Sequence, residues 1–268
     1  MVGLKRPIAR YHGGKWSIAR WVIEQFPDHE VYCEPYSGIA SVLLHKERSR
    51  EEIVNDLDGD VCNLLRMLRD RPAELARVLT LTPYAREEFV LSYEPSEDPL
   101  ERARRLVARL NMGFGSTSGR ATMTGFRSYS GHGRISAHEW ATFPPIVQTI
   151  AERLQGVLIE NLPAMDIIPK YDSPRTLFYV DPPYVPHTRS SLQHASGKKQ
   201  YAHEMGDAEH RSLAIMLQAC AGYVVISGYP SPLYDNELYF DWKRVERKAM
   251  TCHQEKTEVL WTKPALVR

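Results

Sequence analysis

A short apolar segment that ends at the tetrapeptide Asp181-Pro182-Pro183-Tyr184 constrains the fold more than any other feature of the chain. The four residues before it, 177–180, form a continuous hydrophobic run, which is typical of a strand buried on both faces of a parallel sheet. In open α/β sheets, ligands bind outside the carboxyl ends of the strands. We therefore expect the tetrapeptide to lie at the ligand-binding edge of an α/β sheet.

The segments around this strand predict the rest of such a sheet. Near the amino terminus, a strand at 31–33 leads through a glycine turn into a helix at 39–46 and then into a strand at 52–55. This order of elements begins a parallel α/β sheet. The other predicted elements are helices at 18–26, 64–68, 73–81, 100–110 and 208–220, strands at 157–159 and 223–227, and a terminal hairpin at 244–262.

The composition is that of a globular protein and fits one large domain or one domain with an insertion. Hydrophobic residues make up 43% of the 268 residues and charged residues 25%. The sequence has no apolar run of the ~18 residues that a membrane span needs, and its basic, mixed amino terminus does not predict a signal peptide. The four cysteines are far apart and form no CxxC pair, so we expect a reduced, cytoplasmic protein without a metal site.

Positive charge is concentrated in two segments, although the net charge is only +1. Residues 102–138 contain seven arginines and no acidic residue. Residues 187–203 also lack acidic residues and carry one arginine, two lysines and three histidines. Such segments favour phosphate binding at one face, but solvated loops have the same composition.

The chemistry of the tetrapeptide suits the activation of an amino group on a nucleobase. Its prolines remove two backbone donors, so the motif presents acceptors, namely the Asp181 carboxylate and the Pro182 carbonyl. An exocyclic amino group is a poor nucleophile because its lone pair is delocalised into the ring. Two acceptors aimed at its N–H bonds draw the nitrogen toward a tetrahedral geometry, and Tyr184 can stack on the base.

An Asp-Pro-Pro-Tyr motif after a hydrophobic strand resembles the catalytic motif of the amino-methyltransferases that modify adenine N6 or cytosine N4. Further segments are similar to the D12 class of DNA adenine methyltransferases, particularly its phage-type members. These segments are an aromatic-x-Gly-Gly-Lys element at 10–15, a Glu-Pro-aromatic-x-Gly core at 32–41, and residues 201–205 and 258–261. The resemblance implies a Rossmann-like methyltransferase sheet, S-adenosylmethionine as cofactor and double-stranded DNA as substrate.

The residue types and the resemblance together predict a cofactor site. Glu34, Pro35, Ser37 and Gly38 form a turn in which amide groups would face the carboxylate of S-adenosylmethionine and Glu34 would pair with its ammonium group. Asp56 follows the second strand, about 20 residues after the turn, where ribose hydroxyls are held; a helix N-cap is the alternative. The residues that the resemblance adds to this site are Tyr11, Lys15 and Asp181.

The order of the motifs predicts the domain organisation. Cofactor elements, a variable segment and Asp-Pro-Pro-Tyr follow one another, which resembles the alpha arrangement of the family, with target recognition between the two motifs. We expect a catalytic domain at 1–70 and 144–268 and an inserted helical and target-recognition region at 71–143. Residues 111–143 should read the bases, and residues 187–203 should become ordered on DNA. The candidate DNA-binding residues are Arg120 or Arg127 for base reading and Arg134, Lys198 and Lys199 for phosphate.

These features predict an enzyme that flips adenine out of duplex DNA and methylates N6, because the amino group is otherwise paired and stacked. The alternatives are methylation of cytosine N4 or of an RNA base, a non-catalytic DNA-binding relative, and a dinucleotide-dependent enzyme. Intact acidic and aromatic motif residues argue against the non-catalytic relative. The first turn lacks a complete GxGxxG, which argues against a dinucleotide. Nothing in the sequence indicates an obligate protein partner.

Overall fold

The computed structural model describes residues 4, 6–11, 13–114, 123–129, 136–188, 204–250 and 255–263. The chain divides into two compact units. The first comprises Met1–Trp16, Gly38–His45 and Asp58–Ile159, and the second comprises Ser17–Ser37, Lys46–Leu57 and Glu160–Arg268. The predicted domain boundaries at 70 and 144 stay a prediction, because a division by compactness does not test where DNA is recognised.

Strands and helices alternate along much of the chain. The strands in the described residues are β1 (Val31–Glu34), β2 (Glu51–Asn55), β3 (Val157–Glu160), β4 (Thr176–Val180), β5 (Tyr223–Gly228), β6 (Lys243–Met250) and β7 (Glu255–Lys263). The α-helices there are α1 (Ala19–Ile23), α2 (Ser41–His45), α3 (Gly59–Asp70), α4 (Pro72–Leu81), α5 (Arg86–Leu91), α6 (Pro99–Met112), α7 (Ser136–Trp140), α8 (Val147–Leu154), α9 (Ala164–Tyr171) and α10 (Asp207–Ala219).

The second unit is built on a mixed sheet whose strands stand in the order β2-β1-β4-β5-β7-β6. β1 pairs in parallel with β2 and β4, and β4 pairs in parallel with β5. β7 lies antiparallel between β5 and β6, as predicted for a terminal hairpin. The chain moves outward from β1 to β2 on one side and from β4 to β5 on the other. The resulting switch point between β1 and β4 is where ligands bind in open α/β sheets, and the predicted Rossmann-like sheet is confirmed.

The buried core of this unit explains why residues 177–180 of β4 are all hydrophobic. All five residues of β4 are buried, as expected for a central strand that is covered on both faces. Phe178 and Val180 belong to a cluster that includes Ile167 of α9 and Leu213 of α10. Tyr179, on the other side of the strand, contacts the ring of Phe26.

The first unit is mainly helical. α3 packs against α6 and α8, and α4 packs against the same two helices. The Asp58 carboxylate accepts a hydrogen bond from the Asp60 amide and caps α3, and Asp98 caps α6 in the same way. The cap of α3 is therefore Asp58, and the alternative of Asp56 as the helix cap is wrong.

Among the described helices, α5, α7, α8 and α9 were not predicted from the sequence. α9 contains Pro169, which argues against a helix in a sequence pattern but is accommodated near its end. α5 and α7 are too short, at six and five residues, to show a clear period. α7 lies in the segment 111–143, for which no regular element was expected.

Asn55 ties the end of β2 to two neighbouring turns. Its side-chain nitrogen donates to the carbonyl oxygens of Pro35 and Leu162, both at 2.9 Å, and its side-chain oxygen accepts from the Leu162 amide at 2.9 Å. Its own carbonyl accepts from the Ser37 amide at 2.8 Å. Asn55 is 1% exposed, so water cannot replace these bonds.

We predict that Asn55→Ala lowers the free energy of unfolding by about 2–4 kcal/mol, because it leaves buried backbone groups without partners. Asn161→Ala is the matched control. Asn161 also donates to backbone carbonyls, those of Asp56 and Leu57, but it is exposed, so its loss should cost less than about 1 kcal/mol. Urea unfolding measures both values, and equal losses would contradict the proposed anchoring role of Asn55.

Candidate active site

Three acidic residues of the second unit lie at the carboxyl ends of adjacent parallel strands. Glu34 is the last residue of β1, Asp56 follows β2, and Asp181 follows β4. Because these strands are neighbours and run in the same direction, their ends lie at one edge of the sheet. The fold thus brings the predicted cofactor acids and the predicted catalytic acid to the switch point.

Glu34 is a buried carboxylate held by a tyrosine on its own strand. It is 2% exposed, and the Tyr32 hydroxyl donates to its Oε1 at 2.8 Å. Burial and the nearby Glu34 carboxylate raise the pKa of Tyr32 well above its usual value. Tyr32 therefore stays protonated and remains a donor, which fixes the orientation of the Glu34 side chain.

The turn after Glu34 is fixed through its backbone. Asn55 binds the Pro35 carbonyl and the Ser37 amide, so this part of the predicted cofactor turn is anchored to the end of β2. The Asp56 carbonyl accepts from Asn161 at 2.8 Å, which anchors the residue that follows β2.

Tyr11, Lys15 and Gly38 lie in the first unit, where Tyr11 packs directly on Gly38. Gly38 has a φ of +50°, and a Cβ added to it would lie 2.9 Å from Tyr11 Cε1. A side chain is therefore excluded by both conformation and space. Lys15 is buried, and its ammonium donates to the Gly13 carbonyl at 2.7 Å. The structure thus places one residue of each sequence motif, Tyr11 and Gly38, in contact.

Ala40, just after this turn, is a residue that the sequence did not single out. It is buried and has a φ of +55°, the left-handed conformation that costs a non-glycine residue about 1 kcal/mol or more. Its carbonyl accepts from the Leu44 amide in the first turn of α2. Ala40 is the one non-glycine residue with a positive φ in the described part of the chain, and it lies two positions after Gly38 of the predicted cofactor turn.

Asp181 is oriented by β5. Val180 pairs with Ile226, which places Asp181 beside Ser227. The Ser227 hydroxyl donates to Asp181 Oδ1 at 2.8 Å, and the Tyr179 hydroxyl lies 3.2 Å from the same serine oxygen. A serine has one hydroxyl hydrogen, so with Ser227 donating to the carboxylate, Tyr179 donates to Ser227. Ser227 was missed because only the register of β4 with β5 places it next to Asp181.

Tyr184 is held by β7 and by a second aromatic residue. Its hydroxyl donates to Glu258 Oε2 at 2.8 Å, and its ring meets the Tyr229 ring edge-on at a centroid distance of 4.6 Å. Tyr229 also makes a cation–π contact, in which the Lys256 ammonium lies 4.4 Å from the centre of its ring. Glu258 lies in a segment whose sequence resembles the family, but that resemblance did not indicate a role.

The predicted DNA-binding residues are mostly outside the described residues, namely Arg120, Arg134, Lys198 and Lys199. Arg127 is described, and it is 7% exposed with its guanidinium bound to Glu139 Oε2 at 2.8 Å. This arrangement favours a structural role for Arg127 over base reading, because a base contact would require that buried ion pair to open.

Four more arginines of the basic segment lie on α6 and form ion pairs with acidic residues of the first unit. Arg104 and Arg105 bind Glu101, and Arg102 binds Asp60 at 2.6 Å, with Arg109 3.6 Å from the same carboxylate. Each of these arginines is thus paired with a carboxylate within the protein, which the absence of acidic residues along 102–138 had concealed.

In the described part of the chain, His, Cys, Asp and Glu residues form no group of three or more that could hold a metal ion. None of the helices in that part is long and apolar enough to cross a membrane.

Comparison with known proteins gives a consistent family. The family model described as D12 class N6 adenine-specific DNA methyltransferase matches residues 11–251. The type II methyltransferase M1.LlaDCHI of Lactococcus lactis subsp. cremoris is 24% identical over 254 residues, covering 88% of this chain and 85% of the relative.

Solved structures resemble the chain only weakly. A possible methylase from Clostridium difficile 630 has a TM-score of 0.38 at 10% identity, covering 98% of this chain and 54% of the other. The rRNA methyltransferase aviRa from Streptomyces viridochromogenes has a TM-score of 0.35 at 16% identity, covering 91% and 82%. Likeness at this level carries no functional information. The family match, which spans most of the sequence and both sets of motifs, does: the chain belongs to the D12 class of N6 adenine-specific DNA methyltransferases.

Proposed function

We propose that this enzyme transfers a methyl group from S-adenosylmethionine to N6 of an adenine that has been flipped out of duplex DNA. The observation that carries the proposal is the Asp181 carboxylate, held by Ser227 at the switch point and followed by two prolines and a tyrosine. The similarity to a type II methyltransferase supports a role beside a restriction enzyme.

The residues of the predicted cofactor site fit S-adenosylmethionine by their chemistry. Buried Glu34 suits the ammonium group of the methionine part, and Asp56 suits the ribose hydroxyls. The turn at Pro35, Ser37 and Gly38 suits the carboxylate, because backbone amides in tight turns bind anions. By family resemblance, Tyr11 and Lys15 complete the site. When bound, S-adenosylmethionine supplies an electrophilic methyl group on a sulfonium.

Asp181 and the Pro182 carbonyl would accept the two amino hydrogens of adenine. A carboxylate has about four acceptor sites, so Asp181 can accept from Ser227 and from the amino group at the same time. Its negative charge also stabilises the positive charge that develops on N6 during attack, and the surplus proton leaves afterwards. Because Ser227 and Tyr179 hold the carboxylate in place beforehand, little reorganisation is required in the transition state.

Adenine N6 is reached only after the base leaves the stack. Tyr184 would then contact the face of the flipped base. Tyr184 is 5% exposed, so a face of its ring must become accessible when DNA binds. The second basic segment, residues 187–203, follows closely after Tyr184, and Lys198 and Lys199 are proposed to hold phosphates beside the flipped base. Arg120 and Arg134 are proposed to contact the target sequence and its backbone.

We predict that Asp181→Ala lowers the rate of methyl transfer to DNA by at least about a hundredfold, because it removes the charge that stabilises the developing cation. Asp166→Ala is the control, since Asp166 is an exposed aspartate on α9 of the same unit. Transfer of a tritiated methyl group to duplex DNA measures the rate. Near-normal turnover of the Asp181 variant would refute the proposed mechanism.

A second prediction concerns the cofactor turn. Gly38→Ala should weaken S-adenosylmethionine binding by about tenfold or more, because its Cβ displaces Tyr11 as well as straining the backbone. Gly156→Ala provides a matched control, since Gly156 also has a positive φ of 77° but no atom lies within 4 Å of the added Cβ. Calorimetry measures the affinity of both variants for S-adenosylmethionine and separates the displacement of Tyr11 from the backbone strain. Equal affinities in the two variants would mean that the contact with Tyr11 is unimportant for the cofactor.

A further inference from the structure

Glu258 is a buried carboxylate that the proposed chemistry does not use. It lies on β7, directly before Val259, which pairs with Gly228 of β5. This register brings Glu258 to the carboxyl end of β5, where Tyr229 follows. Glu258 is only 8% exposed. A charged group is costly to bury, so its location calls for a specific partner.

In the described part of the chain, Glu258 accepts a hydrogen bond from the hydroxyl of Tyr184, the aromatic residue of the Asp-Pro-Pro-Tyr motif. The O–H···O distance is 2.8 Å, and both groups are buried. Burial first, and the Glu258 charge second, raise the pKa of Tyr184 well above its usual value, so the phenol keeps the proton that it donates. Hydrogen bonds from a neutral donor to a carboxylate are stronger than those between neutral groups.

Among the described residues, a hydrogen bond and an aromatic contact restrain the Tyr184 ring. The hydrogen bond to Glu258 fixes the hydroxyl end, and the T-shaped contact with the Tyr229 ring, at an interplanar angle of 78°, restrains the ring itself. The hydrogen bond restrains rotation about the bonds that would swing the hydroxyl away, whereas an aromatic contact alone permits sliding. The orientation in which Tyr184 meets a base therefore depends on a residue 74 positions away in sequence.

We infer that Glu258 is a positioning residue that holds the ring of Tyr184 in the orientation required to stack on the flipped adenine. The inference rests on the proposed function, since it assigns Glu258 to the same site. Glu258 acts through its acceptor oxygen, and its charge is not needed for the substrate. Glutamine, which has the same length and keeps an acceptor oxygen, should therefore replace it, whereas alanine should not.

The test compares Glu258→Ala, Glu258→Gln and Tyr184→Phe, with Glu246→Ala as the control. Glu246 is a glutamate on the neighbouring strand of the same hairpin, but its side chain is 58% exposed. Wild-type methylation of duplex DNA is measured first, so that failure of the proposed function is recognised separately. Single-turnover rates, S-adenosylmethionine affinity and thermal stability are then measured for each variant.

Glu258→Ala is expected to lower the rate of methyl transfer by about 10- to 100-fold while leaving cofactor affinity within about twofold of wild type. Glu258→Gln should retain a rate within about threefold of wild type. Combining Glu258→Ala with Tyr184→Phe should be no worse than the more impaired single variant, because both remove one hydrogen bond. Loss of thermal stability alone does not predict this pattern.

The orientation of the base gives an independent readout. A duplex with 2-aminopurine in place of the target adenine reports stacking on Tyr184 by its fluorescence, and Glu258→Ala should change that signal while Glu258→Gln and Glu246→Ala do not. Given an active wild type, the inference is overturned if Glu258→Ala has the wild-type rate of methyl transfer and the wild-type fluorescence. It is also overturned if Glu258→Gln lowers the rate as much as Glu258→Ala does.

Discussion

The parallel pairing of β4 between β1 and β5 is the constraint on which the site depends. It sets Glu34 and Asp181 at the same edge of the sheet and places Ser227 beside Asp181. A shift of this register by one residue would turn every side chain of a strand to the opposite face. Since both faces of β4 are buried, such a shift would exchange the side chains that fill the two faces, so the position of Asp181 follows from the packing of the core.

Each polar residue of the motif is held by a buried partner on the sheet. Tyr32 orients Glu34, Ser227 orients Asp181, and Glu258 orients Tyr184. Such fixed hydrogen bonds place charge before the substrate arrives, which is the main way proteins stabilise a developing charge. Tyr32 lies on the same strand as Glu34, whereas Ser227 and Glu258 lie far in sequence from the groups that they hold, so several strands of the sheet together prepare the site.

The sequence predicted the sheet and its ligand-binding edge because hydrophobic runs and the residues that end them are local signals. It also predicted the acids at the strand ends, whose spacing is visible directly. It did not predict Ser227 or Glu258, which become relevant only through strand register. It also suggested a basic surface on 102–138, where the arginines of α6 instead form ion pairs with Glu101, Glu88 and Asp60, partners that lie outside that segment. Helices α5, α7, α8 and α9 were not predicted; α5 and α7 are short, and α9 contains proline.

The central claim is that the acceptors at the switch point act on adenine N6. The most direct measurement is the identity of the modified base. Duplex DNA and RNA, each incubated with the enzyme and S-adenosylmethionine, are digested to nucleosides and analysed by mass spectrometry, and long-read sequencing of the DNA gives the position. The account predicts N6-methyladenine in duplex DNA at one recurring sequence. Methylation confined to cytosine N4 or to RNA would contradict it.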